Sequence, residues 1–495
     1  MRRLYFVVIS FYLVLLMLSV VSCTEDGSYR KVVPANAVVV AEIDLAGLSE
    51  DADLGNSPLI GTARNFMSLG GGDMLSKFDE FAADPSKLGI DFDDPAYLFF
   101  TDDAYVGLVM SVADEDRLET MFQTLHDWGF VNETEKSGDF KTADVDGVAR
   151  LVYDDCGFLL LFATDGIGSS ALQRKAFALQ GQKKDEQFFT YHDEFADADN
   201  APLKLFVSGT ADRRIKEEFL GTGSDLFSKF LPNDAMMDDL DMFCTLSFEK
   251  NEAVVRGKVT TDNKELQEAL DKMGKAFRPV EGDFLKYGSW ADVTVVMNCN
   301  GEKLVSFLKQ FPNMDAFYDD IDRTGFDITS LFGIIDGDVM VTMSDMYSSN
   351  PDFGIFVKVK GIGILRSLIA AMQPYGLTQK GDEGVEYVFP YEDKFCYLTV
   401  RDDEVMLTTQ LLTDLNGESG ISKSDIGNSL FYVSIGGMSL ERGMGGLVKH
   451  IVLRCPDKLE FEVRILADEE AENFLQELIK AVTAEGLYDR GEMWP

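Results

Sequence analysis

The chain repeats itself. Gly107–Phe130 and Gly354–Leu377 align without a gap, so that Leu118, Met121, Phe122 and Leu125 fall on Leu365, Leu368, Ile369 and Met372. Both sets have the i, i+3, i+4, i+7 spacing of one apolar helix face, and a strand-like run precedes each. Both stretches also end alike, in Trp128-Gly129-Phe130 and Tyr375-Gly376-Leu377, where glycine suits the left-handed position that closes a helix. A repeat of this kind obliges the fold to build the same elements twice.

Other matches follow in the same order. Gly89-Ile90-Asp91-Phe92 corresponds to Gly325-Phe326-Asp327-Ile328, and the alternating run Gly147–Val152 to Gly384–Phe389. Strand candidates Phe158–Phe162 and Leu203–Val207 correspond to Tyr397–Val400 and Leu430–Val433. Each copy closes with a hairpin and a helix. In the first these are Met242–Phe248, Ala253–Val259 and the stripe Leu266, Leu270, Met273, Phe277. In the second they are Ile451–Arg454, Leu459–Leu466 and the stripe Phe474, Leu475, Leu478, Ile479, Val482, matched after a two-residue slip. Hairpins mixed with helices predict an α+β fold of two tandem related repeats, each a largely antiparallel sheet covered by helices. The expected divisions are a signal peptide over 1–22, a lipidated N-terminus and tether over 23–31, repeat one over 32–280 and repeat two over 281–495. Arg278-Pro279-Val280-Glu281-Gly282-Asp283, following a helix stripe, marks the join.

The N-terminus gives an address. Arg2 and Arg3 precede the apolar run Leu4–Val21, and Val20-Val21-Ser22-Cys23 has the hydrophobic–small–Cys form of a bacterial lipobox. Processing there leaves Cys23 as an acylated N-terminus, so Cys23 is the expected lipidation site and the membrane, reached through that lipid, the expected partner. The apolar run is also long enough to span a bilayer. Ser22 directly before Cys23, and the polar stretch Thr24–Ser28 after it, favour the lipid anchor.

This lipobox, then Val33-Pro34-Ala35-Asn36-Ala37-Val38-Val39-Val40-Ala41-Glu42-Ile43-Asp44, then a duplicated body, resembles an uncharacterised family of large extracytoplasmic lipoproteins of the Bacteroidota type, known as a domain of unknown function. The resemblance implies a duplicated α+β body and a bacterial outer-membrane location, and it brings no catalytic residues. In that group, acidic residues after the lipidated cysteine look like a surface-export signal. Glu25-Asp26 therefore tilts the expectation toward the cell surface over the periplasmic face.

The chain has 85 acidic against 45 basic residues, a formal net charge of −40. A field of that sign repels nucleic acid, which excludes it as a partner. Beyond Cys23 the cysteines are Cys156, Cys244, Cys299, Cys396 and Cys455, odd in number, widely spaced and without a Cys-x-x-Cys pair. They read as small buried apolar groups rather than a disulfide framework or zinc site. His126, His192 and His450 are the only histidines and read as surface or satisfied polar groups, His192 in an acidic loop and His450 at a strand start.

The sequence contains no Gly-x-Ser-x-Gly elbow, His-Glu-x-x-His pair or Walker loop. The acidic clusters Asp91–Asp94, Asp102-Asp103, Asp238–Asp241 and Asp319–Asp322 lack the EF-hand pattern and read as solvated turns. No catalytic, cofactor-binding or metal-binding residue is assigned, and no cofactor is expected. The expected function is a membrane-anchored envelope lipoprotein with a non-enzymatic binding or scaffolding role toward an envelope protein or glycan. Two alternatives are an envelope hydrolase, which needs two carboxylates converging in a deep pocket, and a small-ligand or cation-capturing module, which needs distant acidic clusters to meet.

Overall fold

The structure, a computed structural model, describes residues 28–53, 58–68, 72–163, 167–196, 201–211, 238–288, 290–308, 328–345, 348, 350–372, 378–380, 385–415, 421–436, 448–467 and 473–484. The signal peptide, Cys23, Asp319–Asp327 and Tyr375–Leu377 lie outside these residues. The chain divides into two compact units. The first holds 1–216, 241–253 and 470–495; the second holds 217–240 and 254–469.

In the first unit, β1 (Ala37–Ile43) is the valine-rich run of the family-like segment. It is flanked on both edges, by β2 (Ala96–Thr101) and by β8 (Leu203–Val207). From β2 the antiparallel ladder continues through β3 (Tyr105–Ser111), β7 (Gly157–Ala163), β6 (Ala149–Tyr153), β5 (Phe140–Val145) and β4 (Glu135–Ser137). From β8 it continues to β9 (Asp241–Phe248). Alternation along these strands separates two cores. One face carries Tyr97, Phe99, Val109, Leu159 and Phe206; the other carries Ala96, Met110, Leu151, Tyr153 and Phe158.

Helices α1 (Leu45–Ala52), α2 (Pro58–Ser68) and α3 (Gly72–Ala83) follow β1. Helix α4 (Glu115–Asp127) is the helix of the repeated motif. Asp114 caps its start by accepting from the Arg117 N–H at 3.0 Å, and Leu118, Met121 and Phe122 of the expected stripe are buried. Phe122 packs its ring 5.1 Å from that of Tyr153. The loop before it explains the Gly-Ile-Asp-Phe motif. Gly89 has φ 74°, and a Cβ there would lie 2.3 Å from the Leu118 nitrogen and 2.4 Å from the Asp114 carbonyl oxygen, so only glycine lets the loop lie against the helix start. On the opposite face α5 (Ser169–Gln180) buries Leu172, Ala176 and Leu179.

The second unit centres on β12 (Val293–Asn300), flanked by β13 (Ile335–Ser344) and β19 (Phe431–Gly436). From β13 the ladder runs through β14 (Asp352–Val359), β18 (Glu404–Thr408), β17 (Lys394–Val400), β16 (Val385–Tyr391) and β15 (Thr378–Lys380). From β19 it runs through β20 (His450–Asp457) and β21 (Glu460–Leu466) to β10 (Glu252–Thr260). A two-residue strand, β11 (Phe277–Arg278), also pairs with β12. The strand-pairing plan around β12 is therefore the plan around β1. Its longer helices are α6 (Lys264–Ala276), α7 (Gly301–Leu308), α8 (Ile328–Gly333) and α9 (Gly363–Met372). Leu266 and Leu270 of α6 pack with Val259 and Leu459.

The last described helix, α10 (Phe474–Ala484), belongs to the first unit. Its Leu475 and Ile479 pack on the core beneath α1, Asn473 donates to Asp51 Oδ1 at 3.3 Å, and Gln476 donates to the Asp51 carbonyl at 3.1 Å.

Two separate helix-covered sheets are not what forms. Among the described residues, 21 strands belong to a single large antiparallel sheet, although the mixed α+β content holds. The physical reason is that a sheet edge leaves a row of backbone N–H and C=O groups unpaired. Repeats that end on hairpins therefore extend a sheet more readily than they close one.

Candidate functional site

Strand alternation gathers an unusual set of polar groups on one face of β19, β20 and β21. Tyr432 stands opposite Arg454 and Ser434 opposite Val452, while Arg454 stands opposite Glu462 and Val452 opposite Arg464. Residues directly opposite share a face, so Tyr432, Ser434, Arg454, Glu462 and Arg464 are neighbours. Arg256 reaches the same carboxylate from β10.

Glu462 is the hub. Its Oε1 accepts from Arg454 Nη2 at 2.6 Å and from Arg464 Nε at 2.8 Å, and its Oε2 accepts from Arg256 Nε at 3.0 Å. The Glu462 side chain is 9% exposed, against 26% for Arg454, 36% for Arg464 and 44% for Arg256. Burial alone would favour the neutral acid. The hydrogen bonds from Arg464 and Arg256 and the positive charges of Arg454 and Arg464 outweigh it, holding the carboxyl below its ordinary range. Among the described residues, Arg454 Nε is buried without a hydrogen-bond partner.

Beside this hub, Ser434 Oγ lies 2.6 Å from His450 Nε2. Gly436 stands opposite His450 and makes room for the imidazole, since a Cβ there would sit 3.3 Å from Nδ1. Burial lowers the His450 pKa, disfavouring the charged ring. Burial also pushes the Tyr432 hydroxyl up to about 12, assisted by Asp425 and opposed by Ser434 and Arg454. A hydroxyl and a neutral imidazole in contact resemble a nucleophile and its base. Ser434 is only 5% exposed, however, and the pair ties β19 to β20.

Three other carboxylates hold the architecture. In the first unit Glu42 pairs with Lys204 at 3.0 Å and accepts from the Tyr97 hydroxyl at 3.0 Å. In the second, fully buried Asp338 accepts from the backbone N–H groups of Glu281 at 2.9 Å, Gly282 at 2.5 Å and Asp283 at 3.0 Å, and from Asn298 Nδ2 at 3.0 Å. Asp352 is partly desolvated, but Lys394, Thr409 and Gln410 hydrogen-bond it and hold its carboxyl below the usual range.

The three acidic clusters that lie among the described residues are engaged locally. Asp91 accepts from the Asp93 N–H, Asp102 and Asp103 bind Asn36 and Lys175, and Asp239 and Asp241 accept from Asn263 and the Gly209 N–H. Asp154, Asp155 and Cys156 draw together on the β6–β7 turn, where Asp154 Oδ1 accepts the backbone N–H groups of Cys156 and Gly157. His126 Nδ1 lies 3.0 Å from the Val131 carbonyl oxygen. His192, in the short acidic segment before Asp193-Glu194, stacks on Phe188 at 4.5 Å. A cleft of about 200 Å³ between β10 and α6 is lined by Val259, Leu270 and Leu459, with the Lys458–Asp271 ion pair beside it.

The arginine–glutamate hub was not singled out in the sequence. Its only signal is charge inside otherwise strand-like runs, as in Val-Leu-Arg-Cys and Glu-Phe-Glu-Val-Arg-Ile.

A family model for a domain of unknown function, DUF4836, matches residues 29–430. The chain belongs to that family. The DUF4836 match covers β1 and β12, whereas Arg454, Glu462 and Arg464 lie beyond its end. No curated protein matches the chain. Among solved structures, crystal form III of TP0453 is similar at 10% identity and a TM-score of 0.28, covering 53% of this chain and 92% of that one. Crystal form I of TP0453 is similar at 13% identity and a TM-score of 0.27, covering 53% and 91%. Likeness at that level carries neither fold nor function across to this DUF4836 chain. Among its described residues, no helix is long and apolar enough to cross a membrane.

Proposed function

We propose that this DUF4836 chain is a membrane-anchored envelope lipoprotein of the Bacteroidota type with a non-enzymatic binding or scaffolding role. In this reading residues 1–22 are removed as a signal peptide, Cys23 carries the lipid, and the body arose by internal duplication. The protein sits on the bacterial outer membrane, with the cell-surface face favoured by Glu25-Asp26. The lipobox supports the anchor, and the recurrence of one strand-pairing plan around β1 and β12 supports the duplication.

The observation that carries the binding role is the hub at Glu462. Three arginines converge on one carboxylate at a partly exposed sheet face, an arrangement suited to recognition. The test is crosslinking and capture of the tagged full-length protein from its native membranes, beside a Cys23→Ala control. An envelope protein or glycan recovered with the lipidated protein and lost with the control is the expected result. Recovery of no partner from confirmed, lipidated protein overturns the reading.

A further inference from the structure

We propose that the first unit docks on the membrane surface through one fixed face, carrying the 3-10 turn Ser28–Val32 and residues 182–191, where Lys31, Lys183 and Lys184 meet phospholipid phosphates. The inference rests on lipidation at Cys23, as read above, and names the surface that this anchor brings to the lipid.

The first argument is that the anchored end of the chain is built into the core. Tyr29 is 3% exposed, and its hydroxyl donates to the Pro95 carbonyl at 2.7 Å. Val32 and Val33 are buried in the cluster that holds Tyr97 and Leu159. A Cβ at Gly157 of β7 would lie 2.5 Å from the Tyr29 Cβ, so glycine there admits the tyrosine. Gln182 Nε2 donates to the carbonyls of Lys31 and Val33, and the Phe188 N–H donates to the Val33 carbonyl at 3.0 Å. The DUF4836 match begins in the same place, at residue 29. The Ser28–Val32 turn is therefore a fixture of the first unit.

The second argument is reach. Only residues 24–27 separate Cys23 from Ser28. An extended chain spans at most about 3.6 Å per residue, so Ser28 stays within roughly 18 Å of the lipidated cysteine. A unit of roughly 250 residues has a radius of gyration of about 18 Å, and its diameter is more than twice that. The tether is shorter than the body it holds, so the unit cannot turn its far side to the lipid.

The third argument is the chemistry of that face. Residues 28–34 and 182–191 hold Arg30, Lys31, Lys183 and Lys184 with Asp185 and Glu186, whereas acidic residues outnumber basic ones 85 to 45 in the whole chain. Asp94 and Glu42 act on Tyr29 from outside these segments. Charges more than about 8 Å away are largely screened at physiological ionic strength, so the acidity of the rest of the chain does not set the field at the lipid. Lys183 and Lys184 are exposed, and their flexible stems let the ammonium groups follow phosphates. Tyr191 is 59% exposed, with its hydroxyl donating to the Asp185 carbonyl at 3.0 Å. An aromatic ring with a polar tip suits the headgroup boundary.

The experiment is lysine footprinting of the full-length lipoprotein inserted into preformed vesicles of phosphatidylcholine and phosphatidylglycerol. A membrane-impermeant N-hydroxysuccinimide ester is the reagent, and mass spectrometry the readout. Cys23→Ala protein mixed with the same vesicles is the reference, and Lys136, exposed on edge strand β4 of the same unit, is the internal control. Lys31, Lys183 and Lys184 should be modified about fivefold more slowly in the lipidated protein than in the reference, with Lys136 unchanged. A long flexible Gly-Ser insert after Gly27 should restore most of the reference rate, with circular dichroism confirming the fold. Equal reactivity in the folded, vesicle-bound lipoprotein and the reference overturns the proposal. Protection that the insert leaves unchanged also overturns it, because the short tether would then not set the orientation. Intact-mass measurement and vesicle flotation come first: protein without acyl chains that fails to float overturns the anchor reading instead, and keeps the two failures apart.

Discussion

Glu42 and Lys204 face each other across the β1–β8 ladder, 3.0 Å apart and nearly buried, with the Tyr97 hydroxyl closing on Glu42 from β2. All three lie on consecutive strands at one register position. Lys204→Met strands the carboxylate and should destabilise the first unit by about 3–5 kcal/mol, whereas Glu42→Gln/Lys204→Met, which keeps an acceptor for Tyr97, should recover most of that loss. Urea unfolding of the three proteins measures the difference. Equal losses in the single and double variants would show that the pair is not the source.

Gly89 and Gly129 both have positive φ, 74° and 76°, but their surroundings differ. A Cβ at Gly89 meets the backbone at the start of α4, while one at Gly129 has nothing within 4 Å. Gly129→Ala should therefore cost about 1–2 kcal/mol, the ordinary left-handed penalty. Gly89→Ala should cost clearly more. Thermal melts of both variants rank them, and the reverse order would show that α4 gives way to the added methyl.

Glu462 and His450 set an acid limit on the second unit. The Glu462 carboxyl is held low when folded, so its contribution is complete above the ordinary glutamate value near ~4.3 and is lost as pH falls through the folded value. His450 is also shifted down, by burial. Below about pH 6.5 the unfolded state takes up a proton that the folded ring resists, and stability falls. Melting temperature should decline in two stages on acidification. Glu462→Gln should remove the lower stage and His450→Gln the upper; an unchanged profile in either variant assigns that stage elsewhere.

Asp338 gathers three successive backbone N–H groups and Asn298, which is itself held by Arg278 Nε at 3.0 Å. Asp338→Ala leaves those donors without their acceptor and should destabilise by at least ~3 kcal/mol. Hydrogen exchange at residues 281–283 reads the effect locally. Their amides should lose protection before the β12–β13 ladder does, and retained protection would mean that the carboxylate is dispensable to the loop.

Local elements were legible because they depend on spacing alone. The Leu118, Met121, Phe122 stripe became α4, Leu203–Val207 became β8, and Leu266 and Leu270 became the buried face of α6. Phe277, counted on that last stripe, is instead the first residue of β11, because pairing with Cys299 of β12 overrides one more helical turn. Sheet continuity was not legible, since a strand's sequence reports which face is apolar but not which edge it meets. The hub at Glu462 was hidden for the same reason. Arg256 and Glu462 are 206 positions apart and become neighbours only through the β10–β21 pairing.

Helix α10 bears on how the protein is made. Chains emerge N-terminus first, at about 5–20 residues per second, so β1 to β8 are complete well before Phe474–Ala484 exists. Until then Asp51 lacks Asn473 and Gln476, and the core beneath α1 lacks Leu475 and Ile479. The first unit to be synthesised is thus the last to be sealed. A nascent chain must keep that apolar face from other molecules through the whole of its elongation, and a chain arrested before residue 474 is an open protein rather than a shorter one.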